Sequence, residues 1–299
     1  MNSSNQKGIA LISTMIIIAL ISASVALMWQ RFGRDLERTT YVITHTQAVN
    51  HLYSIESWAK SILLKDDSKI DSLDDDWAQE IPPIPVPGGL LSGRLIDLHS
   101  KLNINNLIDL KSDPYSPQYR SFFSNCLNSL NTSLEQDYMS DLVFSYVSSQ
   151  SPKPMLFEHK VGLKTIETIP LKDYQTINPF ITALPDLTTI NINTAGANVL
   201  SCLNTNISSN IADQIITYRN NKPFTTINDF WNYAKTLLPN LTIEQIKLDF
   251  PREFINTTSQ YFLLEMEIML NNNKLLARSI LYRKNGKIAI MNRSYYQTQ

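Results

Sequence analysis

The strongest pattern in the chain is an uncharged run over residues 9–29, IALISTMIIIALISASVALMW. As a helix at 1.5 Å per residue it reaches about 30 Å, the thickness of a bilayer's hydrocarbon core. No second run of this kind follows. The pattern predicts one membrane-spanning helix over 9–31, ahead of a body of mixed character. The alternative is a signal peptide cut after the small-x-small site Ser24-Val25-Ala26, before Leu27, although the apolar run is longer than such peptides usually carry. Apolar positions at Leu52, Ile55, Ala59, Ile62 and Leu63 recur at helical spacing, and proline is absent before Pro82. The helix is therefore expected to continue over 32–65, with this face free to take up partner helices. The β-branched cluster Thr39, Thr40, Val42, Ile43 and Thr44 weakens the expectation locally.

Acidic residues then crowd together at Asp66, Asp67, Asp71, Asp74, Asp75, Asp76 and Glu80. They lack the spacing of an EF-hand loop, so a solvated, helix-capping loop is expected. Pro82, Pro83, Pro85, Pro87, Gly88 and Gly89 read as a rigid connector and turn. Residues 91–98 read as a strand. From about 108 to 250 the pattern is mostly helical, cut into short pieces by prolines. The period then switches to two. Tyr261–Leu270 alternates with Glu265 and Glu267 on one face, 275–283 makes a second strand, Asn285-Gly286 signals a hairpin, and 287–292 makes a third. If the first strand joins this meander, the fold is α+β: 66–107 and 253–299 form one domain and 108–252 is a helical insertion.

Composition removes several chemistries. The net charge of -1 leaves no general basic face for phosphates. Eight glycines make a glycine-rich phosphate cradle improbable, and two cysteines cannot form a four-thiolate zinc site. There is no GxSxG, HExxH or P-loop, and His45, His51, His99 and His159 are scattered. Asp97 and the short polar run Asn103, Asn105 and Asn106 follow a strand, where such residues more often satisfy turns than catalyse. A non-enzymatic protein is expected, with no catalytic residue, cofactor or metal ligand assigned.

The polar start ending Gln6-Lys7-Gly8, met at once by the apolar run, resembles the leader of type IV prepilins and type II secretion pseudopilins. On that resemblance a prepilin peptidase cuts between Gly8 and Ile9, residues 1–8 are the leader, and Ser13 stands at mature position five, where most such proteins carry glutamate. Two further segments narrow the family. Residues 74–107, DDDWAQEIPPIPVPGGLLSGRLIDLHSKLNINNL, and residues 178–231, with ININTAGANVL, IADQIITYR and KPFTTINDFW, resemble in order the type II secretion minor pseudopilin K family.

The resemblance implies a pilin-like fold, a long N-terminal helix packed on an antiparallel sheet, with a large inserted helical domain. It implies a subunit capping the tip of a periplasmic pseudopilus and helping to initiate its assembly, for export of folded proteins across the outer membrane. Its partners would be minor pseudopilins I and J, with H as a further candidate, major pseudopilin G and the prepilin peptidase; nucleic acid is not among them. It places the chain in the inner membrane with its body in the periplasm, against the charge bias set by Arg31, Arg34 and Arg38 after the span. A missing glutamate at Ser13 is typical of this subunit. An oxidising periplasm would permit a Cys126–Cys202 disulfide, with two buried thiols as the other possibility. Many members carry an aspartate-rich calcium motif between the two matched segments. Here that place holds SDLVFSYVSSQSPKPMLFEHK, with Asp141, Glu158 and few other carboxylates, so calcium is not carried over.

The alternative is a membrane-anchored helix-hairpin-helix DNA-binding protein of a DNA-uptake apparatus, which about 186–250 also resembles. Its turn, Asn204-Thr205-Asn206-Ile207-Ser208, has no glycine. Five basic residues (Arg219, Lys222, Lys235, Lys247, Arg252) are offset by Asp186, Asp213, Asp229, Glu244 and Asp249.

Overall fold

The start of the chain is one helix, α1 (Ser4–Lys65), about 90 Å long at 1.5 Å per residue. The computed structural model describes residues 4–107, 126, 142, 143, 145, 146, 157–166, 169–270 and 273–298. The β-branched cluster does not interrupt α1. Thr39 Oγ1 donates back to the Asp35 carbonyl at 2.7 Å, and Thr46 Oγ1 to that of Val42 at 2.8 Å, so the hydroxyls are satisfied within the helix.

After α1 come β1 (Ile81–Val86) and β2 (Gly89–Asp97), then four two-residue strands: β3 (Leu102–Asn103), β4 (Ile181–Thr182), β5 (Ile190–Asn191) and β6 (Ile255–Asn256). The meander is β7 (Tyr261–Leu270), β8 (Asn273–Lys284) and β9 (Lys287–Thr298). One antiparallel sheet runs β1-β2-β7-β8-β9, while β3 pairs in parallel with β4 and β5 with β6. The first strand does join the final meander, with Leu95 opposite Leu264 and Arg94 opposite Glu265. The fold is α+β, a long helix on an antiparallel sheet.

Two expectations need correction here. The proline-rich connector is a strand, because β1 is the sheet edge and needs only one ladder; its register slips between Ile81 and Ile84, where Pro82 and Pro83 lack N–H groups. The hairpin closes at Pro87-Gly88 with a φ of 86° at Gly88, the type II requirement. At the β8–β9 turn Asn285 and Gly286 both have positive φ, 51° and 69°, as a type I′ turn demands. Here the expected hairpin is present, although β9 runs to Thr298 rather than ending at 292.

The second correction concerns the apolar face of α1. Ala48, Leu52, Ile55, Ala59 and Leu63 are buried against Leu91, Leu95, Phe262, Leu264, Met266 and Ile268 of the sheet. That face is the domain's own core and is closed to partners.

A second core belongs to the helical part, α2 (Leu171–Ile177), α3 (Ala197–Cys202), α4 (Ser209–Asn221), α5 (Ile227–Leu237) and α6 (Ile243–Asp249). Ile192, Leu200, Ala212, Ile215, Phe224, Phe230 and Phe250 fill it. Capping boxes at Thr226/Asp229 and Thr242/Gln245 start α5 and α6 by satisfying their first N–H groups. Cys126 and Cys202 are joined by a disulfide in this core. The helical pieces expected over 108–156 lie mostly outside the described residues.

The two cores have a fixed order along α1. Tyr41, Thr44, His45 and Ala48 border Leu270, Lys274 and Leu275 at one end of the β7–β8 pair. At the other end Arg283 reaches Asp66, one residue past α1. The helical part joins the sheet at this second end, away from the uncharged half of α1.

Candidate functional site

Where the chain leaves the sheet and where it returns, a buried polar joint holds the two parts together. Asp97, the last residue of β2, accepts from the His99 backbone N–H at Oδ1 (2.7 Å). Its Oδ2 accepts from Thr194 Oγ1 (2.5 Å), Ser259 Oγ (2.6 Å) and Asn191 Nδ2 (3.2 Å). The Asn191 amide also donates to the Asp71 carbonyl at 3.1 Å. One carboxylate and one amide thus bind the exit strand, the return strand, the helical part and the segment after α1. Their hydrogen-bonding capacity is spent inside the protein, which suits them to positioning rather than to acid–base work.

Asp71 corrects the view of the acidic stretch as solvated. It is fully buried, with Arg283 Nη2 2.5 Å from both carboxylate oxygens and Ser259 N–H donating at 2.7 Å. Burial pushes its carboxyl up to about 7, and the Arg283 guanidinium offsets only part of that cost. Asp66, Asp71 and Asp75 bring ligand oxygens within 4.8 Å of one another, a spacing that a metal ion could use. Arg283 already supplies positive charge to two of them, and Asp75 accepts from Ser72 and Trp77 Nε1.

His99 is also buried. Gln260 N–H donates to its Nε2 at 3.2 Å, which assigns the ring proton to Nδ1, 2.9 Å from the Thr189 carbonyl. The ring stacks on Tyr261. Burial lowers its pKa, against the raising effect of Asp97. His45 is exposed and His51 half-buried on α1, and exposed His159 meets Asn292 at 3.3 Å, so the structure brings no two histidines together.

The asparagines after β2 clasp the loop over 183–188. Asn103 Oδ1 accepts from Leu184 N–H (3.0 Å), and Asn106 Oδ1 accepts from Thr188 N–H (3.0 Å) while its amide donates to the Thr188 carbonyl (2.6 Å). Asn105 accepts from Phe157 N–H and donates to the carbonyls of Phe157 and Leu184, each at 2.9 Å. The two sequence segments that carry the family resemblance therefore bond to one another. In the second, Asn193 closes on Phe224 N–H and carbonyl in the same way.

Four of the five basic residues between 186 and 252 have partners within the helical part. Arg219 is buried and donates to the Ile192 carbonyl, Lys235 donates to the carbonyls of Pro239 and Leu241, and Lys247 and Arg252 lie over the Trp231 ring. Lys222 is exposed, so the basic residues are spread over separate contacts and do not line one phosphate-binding face.

Among the described residues, exposed apolar side chains are concentrated on α1. Every side chain over 11–32 is exposed, including Leu11, Ile16, Leu20, Val25 and Trp29. A surface this apolar needs lipid or protein over it, and the helix is long and apolar enough to cross a membrane. Gly8 and Ile9 lie in its first turns, and Ser13 is exposed on it. On the sheet's outer face, Arg94 and Arg278 share the Glu265 carboxylate beside a trough of about 570 Å³.

Residues 190–244 match the family described as type II secretion system (T2SS), protein K. A type II secretion system protein K from Pseudomonas aeruginosa is 23% identical, the match covering 98% of this chain and 93% of that protein. One from Pectobacterium carotovorum is 22% identical over 98% of this chain and 97% of that protein, and one from Aeromonas hydrophila is 30% identical over 37% of each. Among solved structures, a chain of the GspK–GspI–GspJ complex from enterotoxigenic Escherichia coli matches with a TM-score of 0.73 at 19% identity, covering 87% of this chain and all of that one, which shows the shared fold. The near full-length relatives, the matching family segment and the shared architecture agree in making the type II secretion system protein K family the one this chain is similar to.

Proposed function

We propose that the protein is the minor pseudopilin that caps the tip of a periplasmic pseudopilus, a structural subunit without catalytic activity. The observation that carries this reading is the position of the helical part, at the end of the sheet remote from the uncharged half of α1. In a filament of parallel helices that end points away from the membrane, where a broad body obstructs further addition. Ser13 supports the same end position. A carboxylate in an apolar helix is tolerable only beside a partner charge, and a subunit with serine there has none to offer a neighbour. The segment 9–31 would hold the chain in the inner membrane before assembly, with 66–107 and 253–299 as the pilin-like domain and 108–252 inserted in it. The complex formed by the GspK relative supports partners equivalent to I and J.

The intact mass of the mature protein from membranes of its own host tests the reading. Loss of residues 1–8, with or without a methyl group on Ile9, is expected. A chain starting at Met1 or near Leu27 would sink it. Ser13→Glu separately tests the cap: unchanged secretion and unchanged complex formation would remove any role for this position.

A further inference from the structure

We propose that Arg31 and Arg34 form a binding site for anionic phospholipid headgroups at the body-side face of the membrane, an inference that rests on reading 9–31 as the span. Trp29 and Phe32 mark the boundary: both are exposed and their rings lie 6.4 Å apart, as aromatic residues at a bilayer interface do. Along the helix Arg31 stands roughly 3 Å and Arg34 roughly 7.5 Å beyond Trp29. The headgroup layer on each side of the hydrocarbon core is about 5–8 Å deep. Asp35, Glu37 and Arg38 come later, so within that layer the only charged side chains of this segment are the two arginines.

Direction reinforces depth. Side chains in a helix tilt toward its N-terminus, so those following the span lean back to the bilayer. Arg31, Arg34 and Arg38 fall at three- and four-residue spacing on one face, all exposed, and none makes an ion pair among the described residues. Guanidinium groups match phosphate geometry and keep their charge under any physiological condition. These arginines also oppose the usual bias of positive charge toward the cytoplasmic side, if the body is periplasmic. A lipid phosphate partner gives that arrangement a purpose: it would fix the depth and rotation at which α1 waits before assembly.

The test uses the full chain reconstituted in phosphatidylcholine bilayers with trace spin-labelled phosphatidylglycerol or spin-labelled phosphatidylcholine, reading the protein-restricted fraction of each. Each arginine at an anionic surface contributes about fivefold in affinity, so Arg31→Gln with Arg34→Gln is expected to reduce the preference for phosphatidylglycerol by about 25-fold. Lys7→Gln, on the opposite leaflet, is expected to leave it intact. No preference in the unaltered chain, or a preference that survives the double substitution or follows Lys7, would overturn the proposal. A double variant with unchanged lipid preference that no longer co-purifies with its partner subunits would assign the arginines to a neighbouring chain instead. Extraction of the unaltered chain by alkaline carbonate would remove the span reading itself, whereas retention without lipid preference would remove this inference alone.

Discussion

Arg283 of the last hairpin lies against Asp71, just past the long helix, with Nη2 2.5 Å from both carboxylate oxygens although 212 positions separate the two residues. The contact is buried on both sides, and the guanidinium also covers the Phe262 ring at 5.0 Å. It staples the end of α1 to the sheet beside the polar joint.

Breaking this pair from one side leaves a charge buried without its counterpart. Arg283→Met is expected to destabilise by about 3–5 kcal/mol in denaturant unfolding of the full chain in detergent. Because Arg283 also pairs with Asp66, the replacement needs both carboxylates changed: adding Asp71→Leu and Asp66→Asn should recover most of that, since a buried ionic cluster replaced by neutral groups is often neutral in stability. A triple variant no more stable than the single one would show that the ionic cluster itself is worth the difference.

His99 predicts a pH effect with a definite sign. Its native pKa lies below the unfolded value near 6.5 because burial disfavours the cation. The unfolded chain therefore binds more protons below about 6.5, and the contribution of His99, present above that pH, is lost on acidification. Asp97, Arg283, the Thr189 carbonyl, Gln260 N–H and the Tyr261 ring face it. Asp71 acts in the opposite sense: raised to about 7, it adds stability as pH falls from 7 toward 4. The two must be separated by substitution. Between pH 7.5 and 5.5, His99→Asn should lose less stability than the unaltered protein. Equal losses would mean that His99 does not titrate differently in the fold.

These two residues also show how far the sequence could be read. The alternation around Glu265 and Glu267 exposed the sheet's two faces, since period two is a local property of a strand. Asn285-Gly286 exposed its hairpin for the same reason. Asp71 looked solvated because the arginine that buries it is 212 positions away, and no local pattern signals a distant counter-ion. The prolines of β1 looked like a connector because lost N–H groups forbid a central strand but not an edge one. The Asn103–Asn106 run reads as turn chemistry from its place after a strand, while its partners on the 183–188 loop, about 80 positions away, are invisible without the fold.

The disulfide between Cys126 and Cys202 closes a separation of 76 positions in the helical core. Chain-entropy arguments give such a loop about 4 kcal/mol of stabilisation. Replacing both cysteines by serine, or adding reductant during unfolding, is expected to lower the stability of the helical part by about that amount. Mass measurement after alkylation without reduction checks the bond directly: incorporation of label at both positions would show free thiols and remove the prediction.

Leu52 and Val42 separate the helix's inward work from its outward work. Leu52 is 1% exposed beneath the sheet, whereas Val42 is 54% exposed on the stretch of α1 between the span and the body. Leu52→Ala should cost about 2–5 kcal/mol through the cavity it leaves, weakening partner binding only in step with unfolding. Val42→Ala should change stability by less than about 0.5 kcal/mol. If neighbouring subunits pack their helices along this stretch, Val42→Ala will reduce co-purification of the partner pseudopilins at unchanged stability. Joint measurement of melting and co-purification decides the matter. Loss of partners by folded Leu52→Ala protein, with Val42→Ala unaffected, would return the partner surface to the face that the sheet covers.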